Sequence, residues 1–140
     1  MADEHTLMTQ KTFPVSMTVA NGTGIEKGTL LKMTDPNTAI ASSAANDVIA
    51  GIAYTEKIAN DGNTQIAVLT GPFDELRATA SGSVSVGDPL VSAIPAGNLL
   101  ASAINTSGIS GASIVGHSKE NATAGQTFKY VLNIGHGAGT

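Results

Sequence analysis

The chain has 140 residues, a formal net charge of −4 and no cysteine, which makes it one domain able to bury about two thirds of its unfolded surface and excludes disulfide staples, thiolate metal sites and cysteine nucleophiles. Charged residues are 13% and aromatics 4% of the sequence, against roughly 25% charged in an ordinary soluble domain, so neither a highly solvated surface nor a bulky core is available. Ala, Gly, Ser and Thr instead fill 64 positions, a composition suited to close packing between subunits or to an exposed Thr/Ser-rich sheet face.

Residues 1–12 show no hydrophobic period and read as an extended arm, either disordered or laid along something else. From residue 13 onward Gly, Asn and Asp punctuate the chain every 8 to 12 residues, the spacing of an all-β sandwich or barrel. Phe13, Val15, Met17 and Val19 alternate with Pro14, Ser16 and Thr18 as a half-buried strand. Pro14 cannot donate to a ladder, so this strand begins there or lies at an edge. Residues 42–46 have room for one helical turn at most. Val48-Ile49-Ala50-Gly51-Ile52-Ala53 is apolar on both faces, which fits a buried strand with a glycine where another backbone comes close. Gln65 to Leu69 follows the Asn60-Asp61-Gly62-Asn63 turn. Leu76 to Ala80 and Ser83 to Val86 flank Ser81-Gly82 and read as a hairpin with Val84 and Val86 inward, so that sheet joins the two halves of the chain. Phe128, Tyr130, Leu132 and Ile134 then share one face of the clearest strand. The end, residues 136–140, is a glycine-rich tail.

One pattern occurs twice. Gly28-Thr29-Leu30-Leu31, Ile40-Ala41-Ser42, Ile49-Ala50-Gly51 and Asp61-Gly62-Asn63-Thr64 through Val68-Leu69 return as Gly87-Asp88-Pro89-Leu90, Leu100-Ala101-Ser102, Ile114-Val115-Gly116 and Ala124-Gly125-Gln126-Thr127 through Val131-Leu132. The offset drifts from 59 to 65 residues in the loops while the apolar runs keep their spacing, as expected where strands are retained and turns vary. The organisation predicted is an arm over 1–12, a β domain over 13–135 built from related units at about 24–71 and 82–135, and the tail over 136–140. The fold predicted is a single small all-β barrel or tulip-like domain.

Nothing in this pattern assembles chemistry. His5, His117 and His136 stand apart, with no spacing that aims two imidazoles at one metal. Asn60-Asp61-Gly62-Asn63 lacks the alternating acids and closing glutamate of a calcium loop and reads as a turn. Asp74 and Glu75 are neighbours in a strand and point to opposite faces, so they cannot form a catalytic carboxylate pair by themselves. Leu31-Lys32-Met33 is similar to the lysine tip of a biotin carrier, but it has Leu31 in place of the first methionine and lies within an apolar strand. No catalytic, metal or cofactor site is predicted. The seven Lys and Arg residues are scattered singly, which argues against nucleic acid. The acidic start and the lack of an 18-residue apolar run predict neither export by a signal peptide nor a membrane helix.

The run from Ala20 through Ile25-Glu26-Lys27-Gly28-Thr29 to Lys32, then Val48 to Ala53, Asn60-Asp61-Gly62, Ile66-Ala67-Val68, Gly71-Pro72-Phe73-Asp74, Val86-Gly87-Asp88-Pro89-Leu90 and Ile114-Val115-Gly116 resembles the capsid cement or decoration proteins of tailed bacteriophages. The resemblance covers about residues 13–135. It implies a non-catalytic virion protein, made in the host cytoplasm, that sits on the outer surface of the phage head as a homotrimer and binds the major capsid protein. On that view Thr6, Leu7, Met8, Thr9, Gln10, Lys11, Thr12 and Phe13 are the candidate capsid contacts, ordering there by strand addition with Leu7, Met8 and Phe13 as anchors. Deleting residues 2–12 should then abolish capsid binding and leave a folded oligomer. A carbohydrate- or receptor-binding β module, an enzyme with its site between subunits, and another virion component are the competing expectations.

Overall fold

The structure, a computed structural model, describes residues 3–93, 98–104 and 109–135; the predicted tail and His136 lie outside them. The described residues form eleven strands: β1 Thr6–Thr9, β2 Val15–Thr18, β3 Leu30–Asp35, β4 Thr38–Ala41, β5 Ile49–Ala53, β6 Gln65–Leu69, β7 Asp74–Thr79, β8 Pro89–Ser92, β9 Leu100–Ser102, β10 Gly116–Ser118 and β11 Thr127–Leu132. A single 3₁₀ turn, Gly111–Ser113, is the helical content among them. The all-β expectation holds.

The first half closes on itself. Strands in the order β2-β4-β3-β5-β6 make a closed barrel, with β6 pairing antiparallel to β2 and the last contact a parallel one at Thr18 and Thr38. The second half is a sheet in the order β1-β7-β11-β10-β8-β9. Leaving β1 aside, this repeats the barrel, with β7, β11, β10, β8 and β9 standing where β2, β6, β5, β3 and β4 stand. Even the closing contact recurs, as an isolated parallel bridge between Ala80 and Leu100.

The repeat extends to individual hydrogen bonds. Ile25 and Lys57 exchange backbone bonds of 2.9 and 2.8 Å, and Val84 and Ala122 exchange bonds of 2.8 and 2.9 Å. Gly28 N–H donates to Ala53 and Ala53 N–H to Thr29; Gly87 N–H donates to Ser118 and Ser118 N–H to Asp88. Gly28 and Gly87 hold φ of 89° and 87°, the left-handed geometry that favours glycine. The pairing also corrects the alignment read from sequence by one residue in two places. Ala39-Ile40-Ala41, not residues 40–42, occupies the position of Leu100-Ala101-Ser102, and Leu69 corresponds to Val131. A run of similar small apolar residues cannot set its own register; the ladder sets it.

One core joins the halves. Leu30, Ile49, Ile52 and Leu69 of the barrel pack with Leu76, Leu90, Leu100, Phe128, Tyr130 and Leu132 of the sheet. A second cluster, including Met17, Val19, Leu31, Ala50, Ala53 and Val68, fills the barrel itself. Strand β5 is therefore buried on both faces, as its unbroken apolar sequence predicts. Phe128, Tyr130 and Leu132 share a buried face with Ile134 packed beside them, also as predicted.

Two expectations are corrected, the hairpin and the inward Phe13 and Val15. Leu76 to Val86 is not a hairpin: β7 pairs with β11 and β1, Val84 pairs with Ala122, and Val86 is 63% exposed. A two-residue hairpin turn needs positive φ at its first central residue, and neither Ser81 nor Gly82 has it. The halves meet instead at residues 70–73, where Gly71-Pro72 is cis and Gly71 and Phe73 hold positive φ. Residues 42–46 form no helical turn, within the expected limit of one; the Asp47 carboxylate accepts from the Ser42 hydroxyl and the Ser43 and Ala44 N–H groups and fixes a loop. Phe13 and Val15, predicted inward, are exposed, and the inward face of β2 begins at Met17.

Candidate functional site

The arm is a clasp across the two halves. β1 runs antiparallel to β7, Thr6 opposite Arg77 and Leu7 opposite Leu76, with a bulge at Met8 before Thr9 meets Glu75. Leu7 packs on the shared core. On the barrel side, His5 N–H donates to Gly28 O at 2.8 Å, and the Tyr54 hydroxyl donates to Gln10 at 3.1 Å. The fully buried Asp74 carboxylate accepts from Lys11 N–H, from Thr12 N–H at 2.9 Å and from the Thr12 hydroxyl. Hence residues 5–12 are bound by the protein's own body. Of the candidate contacts Thr6, Leu7, Met8, Thr9, Gln10, Lys11, Thr12 and Phe13, the structure turns Leu7 inward and half-buries Thr12. Thr6, Met8, Thr9, Gln10, Lys11 and Phe13 remain exposed.

The body offers the same edge only once. In the barrel, β2 stands where β7 stands in the sheet, but Pro14 occupies the position equivalent to Glu75 and has no N–H to give. Among the described residues no strand covers β2 there, and Phe13 projects beyond it with 92% of its surface exposed. An open groove of about 530 Å³, lined by Gln10, Lys11, Thr12, Phe13, Pro14 and Tyr54, runs beside that ring.

Asp74 and Glu75 do point to opposite faces. Asp74 holds the arm, whereas Glu75 pairs with Lys119 at 2.7 Å and Lys129 at 3.8 Å. The Lys119 ammonium beside it holds the Glu75 carboxyl below the usual carboxylate range. Of the histidines, His5 is buried under the arm and His117 lies in β10. Among the described residues no three His, Cys, Asp or Glu side chains gather as for a metal, and no helix is long and apolar enough to cross a membrane.

Sequence reasoning missed Lys57. Its side chain is wholly buried, and its ammonium donates to Asn21 O at 3.0 Å, Ile58 O at 2.5 Å and Asp61 Oδ1 at 2.6 Å. The lysine thus ties down the Asn60-Asp61-Gly62-Asn63 turn, and its bond holds the Asp61 carboxyl below the usual range. The i, i+4 spacing of Lys57 and Asp61 was the only signal, and it is a weak one. Substituting Lys57→Ala should lower the urea midpoint, because it leaves a cavity and takes the donor away from Asn21 O and Ile58 O.

No protein-family model matches this chain, and no curated protein matches it. Among solved structures it is similar to the N base of the head fiber protein gp8.5 of bacteriophage phi29, with a TM-score of 0.52 over 85% of this chain and 93% of that one, at 19% identity. The two share a fold. The likeness spans nearly the whole of both chains, so it takes in the barrel and the sheet together.

Proposed function

We propose that this chain is a structural protein of a phage virion: a decoration protein that sits on the outer surface of the head as a homotrimer and bridges major capsid protein subunits. It acts without catalysis or cofactor, and neither nucleic acid nor membrane is its partner. The observation that carries this reading is the fold shared with a phage head fiber base across 85% of the chain. The low charge, the small side chains and the rigid clasp agree with a part that works by being held in place. Bridging neighbours turns several weak contacts into one multivalent attachment.

Because Leu7 is committed to the core, the contact surface lies in the outward side chains of the arm and its exit, Met8 and Phe13 foremost. A large exposed ring beside a groove is the type of anchor that dominates an interface. The double variant Met8→Ser, Phe13→Ser should lose about tenfold or more in affinity for shells stripped of the protein, with an unchanged melting temperature. Light scattering on the purified protein should give the mass of a trimer, and its addition should raise the heat resistance of the stripped shells. A monomer that ignores the shells would overturn the virion reading; a double variant that binds like the wild type would move the contact elsewhere on the surface.

A binding module for glycans is the second reading, favoured by the exposed rings of Phe13 and Phe73, which could stack on sugars. Specific capture on a glycan array, lost with Phe13→Ser, would decide for it.

A further inference from the structure

We propose that His5 is an acid-sensitive latch: neutral, it pins the arm across the two halves; protonated, it releases residues 3–12 while the rest of the fold persists. The imidazole is buried beneath the arm, with Nε2 2.8 Å from the backbone carbonyl of Asn98 and Nδ1 2.5 Å from the Tyr130 hydroxyl. A carbonyl only accepts, so Nε2 carries the proton and Nδ1 accepts from Tyr130. Both ring nitrogens are satisfied in this one neutral tautomer. The ring also stands edge-on to Tyr130, centroids 5.5 Å apart at 87°.

The latch touches three separate parts of the fold. Tyr130 belongs to β11, Asn98 precedes β9, and the His5 N–H reaches Gly28 of the barrel, where a Cβ would lie 2.5 Å from the His5 carbonyl oxygen. Asn98 in turn accepts the Leu30 N–H on its side-chain oxygen at 2.8 Å. The equivalent of Leu30 in the second half is Pro89, which has no N–H, so this tether exists once. Added charge finds little compensation. The ionisable neighbours are Tyr130, Lys27 and Tyr54 of the adjoining wall, and Glu4 next in the chain. A second ring proton would face the Tyr130 oxygen and displace the hydroxyl hydrogen from its acceptor.

Burial pushes the imidazole from 6.5 down to about 4, against the opposing pull of the Asn98 carbonyl. The released arm leaves His5 in water at its ordinary value. The closed state therefore binds fewer protons than the open one, so its advantage is complete above pH 6.5 and drains away as the pH falls toward 4. Linkage between those two values raises the opening constant about 20-fold from pH 7 to pH 5.

Amide hydrogen exchange on the full chain tests this. After correction for intrinsic rates, Thr6–Thr9 should lose about 20-fold protection over that pH range while Phe128–Leu132 keep theirs. In His5→Gln, whose amide can make both bonds without titrating, the arm should stay pH-independent. A direct NMR titration of the wild-type His5 ring, expected near pH 4 rather than 6.5, needs no variant. The proposal fails if arm protection is unchanged at pH 5, if β11 loses protection in step with the arm, if His5→Gln follows the wild-type curve, or if His5 titrates near 6.5.

Discussion

Deletion of residues 2–12 is expected to lower the melting temperature by about 10 °C or more and to leave a folded remainder with a much smaller margin, not the unaffected remainder that an independent arm would leave. The deletion strips β7 of its partner strand and uncovers the core where Leu7 packs. It leaves the Tyr130 hydroxyl without His5, and the buried Asp74 carboxylate without Lys11 and Thr12. Losing the arm's hydrogen bonds to the Asp74 carboxylate costs about 1.5–3 kcal/mol, and losing the apolar burial of Leu7 adds roughly 1–2 kcal/mol. Set against a total stability of about 5–15 kcal/mol, the sum takes a large part of the margin without exhausting it. Calorimetry on the truncated chain checks it; a truncated protein melting within a few degrees of the full one would show the arm to be an accessory. Capsid binding by such a truncation would report on folding, so the exposed Met8 and Phe13 are the positions for testing contact.

The parts of the fold legible in the sequence are those where burial has a period. Residues Phe128 to Ile134 alternate against the shared core, and Ile49 to Ala53 is apolar on both sides because β5 separates two cores, whereas Val48, read with them, is exposed. The duplication was visible because its glycines are tied to backbone geometry. What stayed hidden depends on contacts far apart in sequence. β1 has no amphipathic period, since its structure comes from the β7 edge, the bulge at Met8, the half-buried Leu7 and the buried His5 just before it. Ser81-Gly82 looks like a hairpin turn until the partners of β7 are known to be β1 and β11. Lys57 reads as one more surface lysine, and only the folded Asn21 and Asp61 around it show otherwise. The outward surface was not readable either. An exposed Phe13 carries the same letters as a buried one, and the proline that leaves the β2 edge uncovered acts only through the comparison with Glu75.

Among the described glycines, Gly116→Ala should be the most damaging substitution, and Gly51→Ala should follow it. The two glycines are equivalent in the repeat, each lying where a neighbouring strand's carbonyl closes in. A Cβ on Gly116 would sit 1.8 Å from Val131 O, and one on Gly51 would sit 2.4 Å from Leu69 O and 2.7 Å from a Val68 methyl, with φ at 151° besides. In both cases the obstacle is backbone in a ladder, which cannot rotate aside as a side chain can. Relief requires parting β10 from β11 or β5 from β6, and those pairs line the shared core. The expected cost is about 3 kcal/mol or more at each, against less than about 0.5 kcal/mol for Gly82→Ala, where no atom lies within 4 Å and φ is not positive. Urea unfolding of the three variants measures the differences. Equal stabilities for Gly116→Ala and Gly82→Ala would mean that the close approach is not held, and the register that defines the repeat would go with it. A single transition, coincident by two probes and lowered by either substitution, would establish that the two halves unfold as one cooperative unit, each ladder being a wall of the same core.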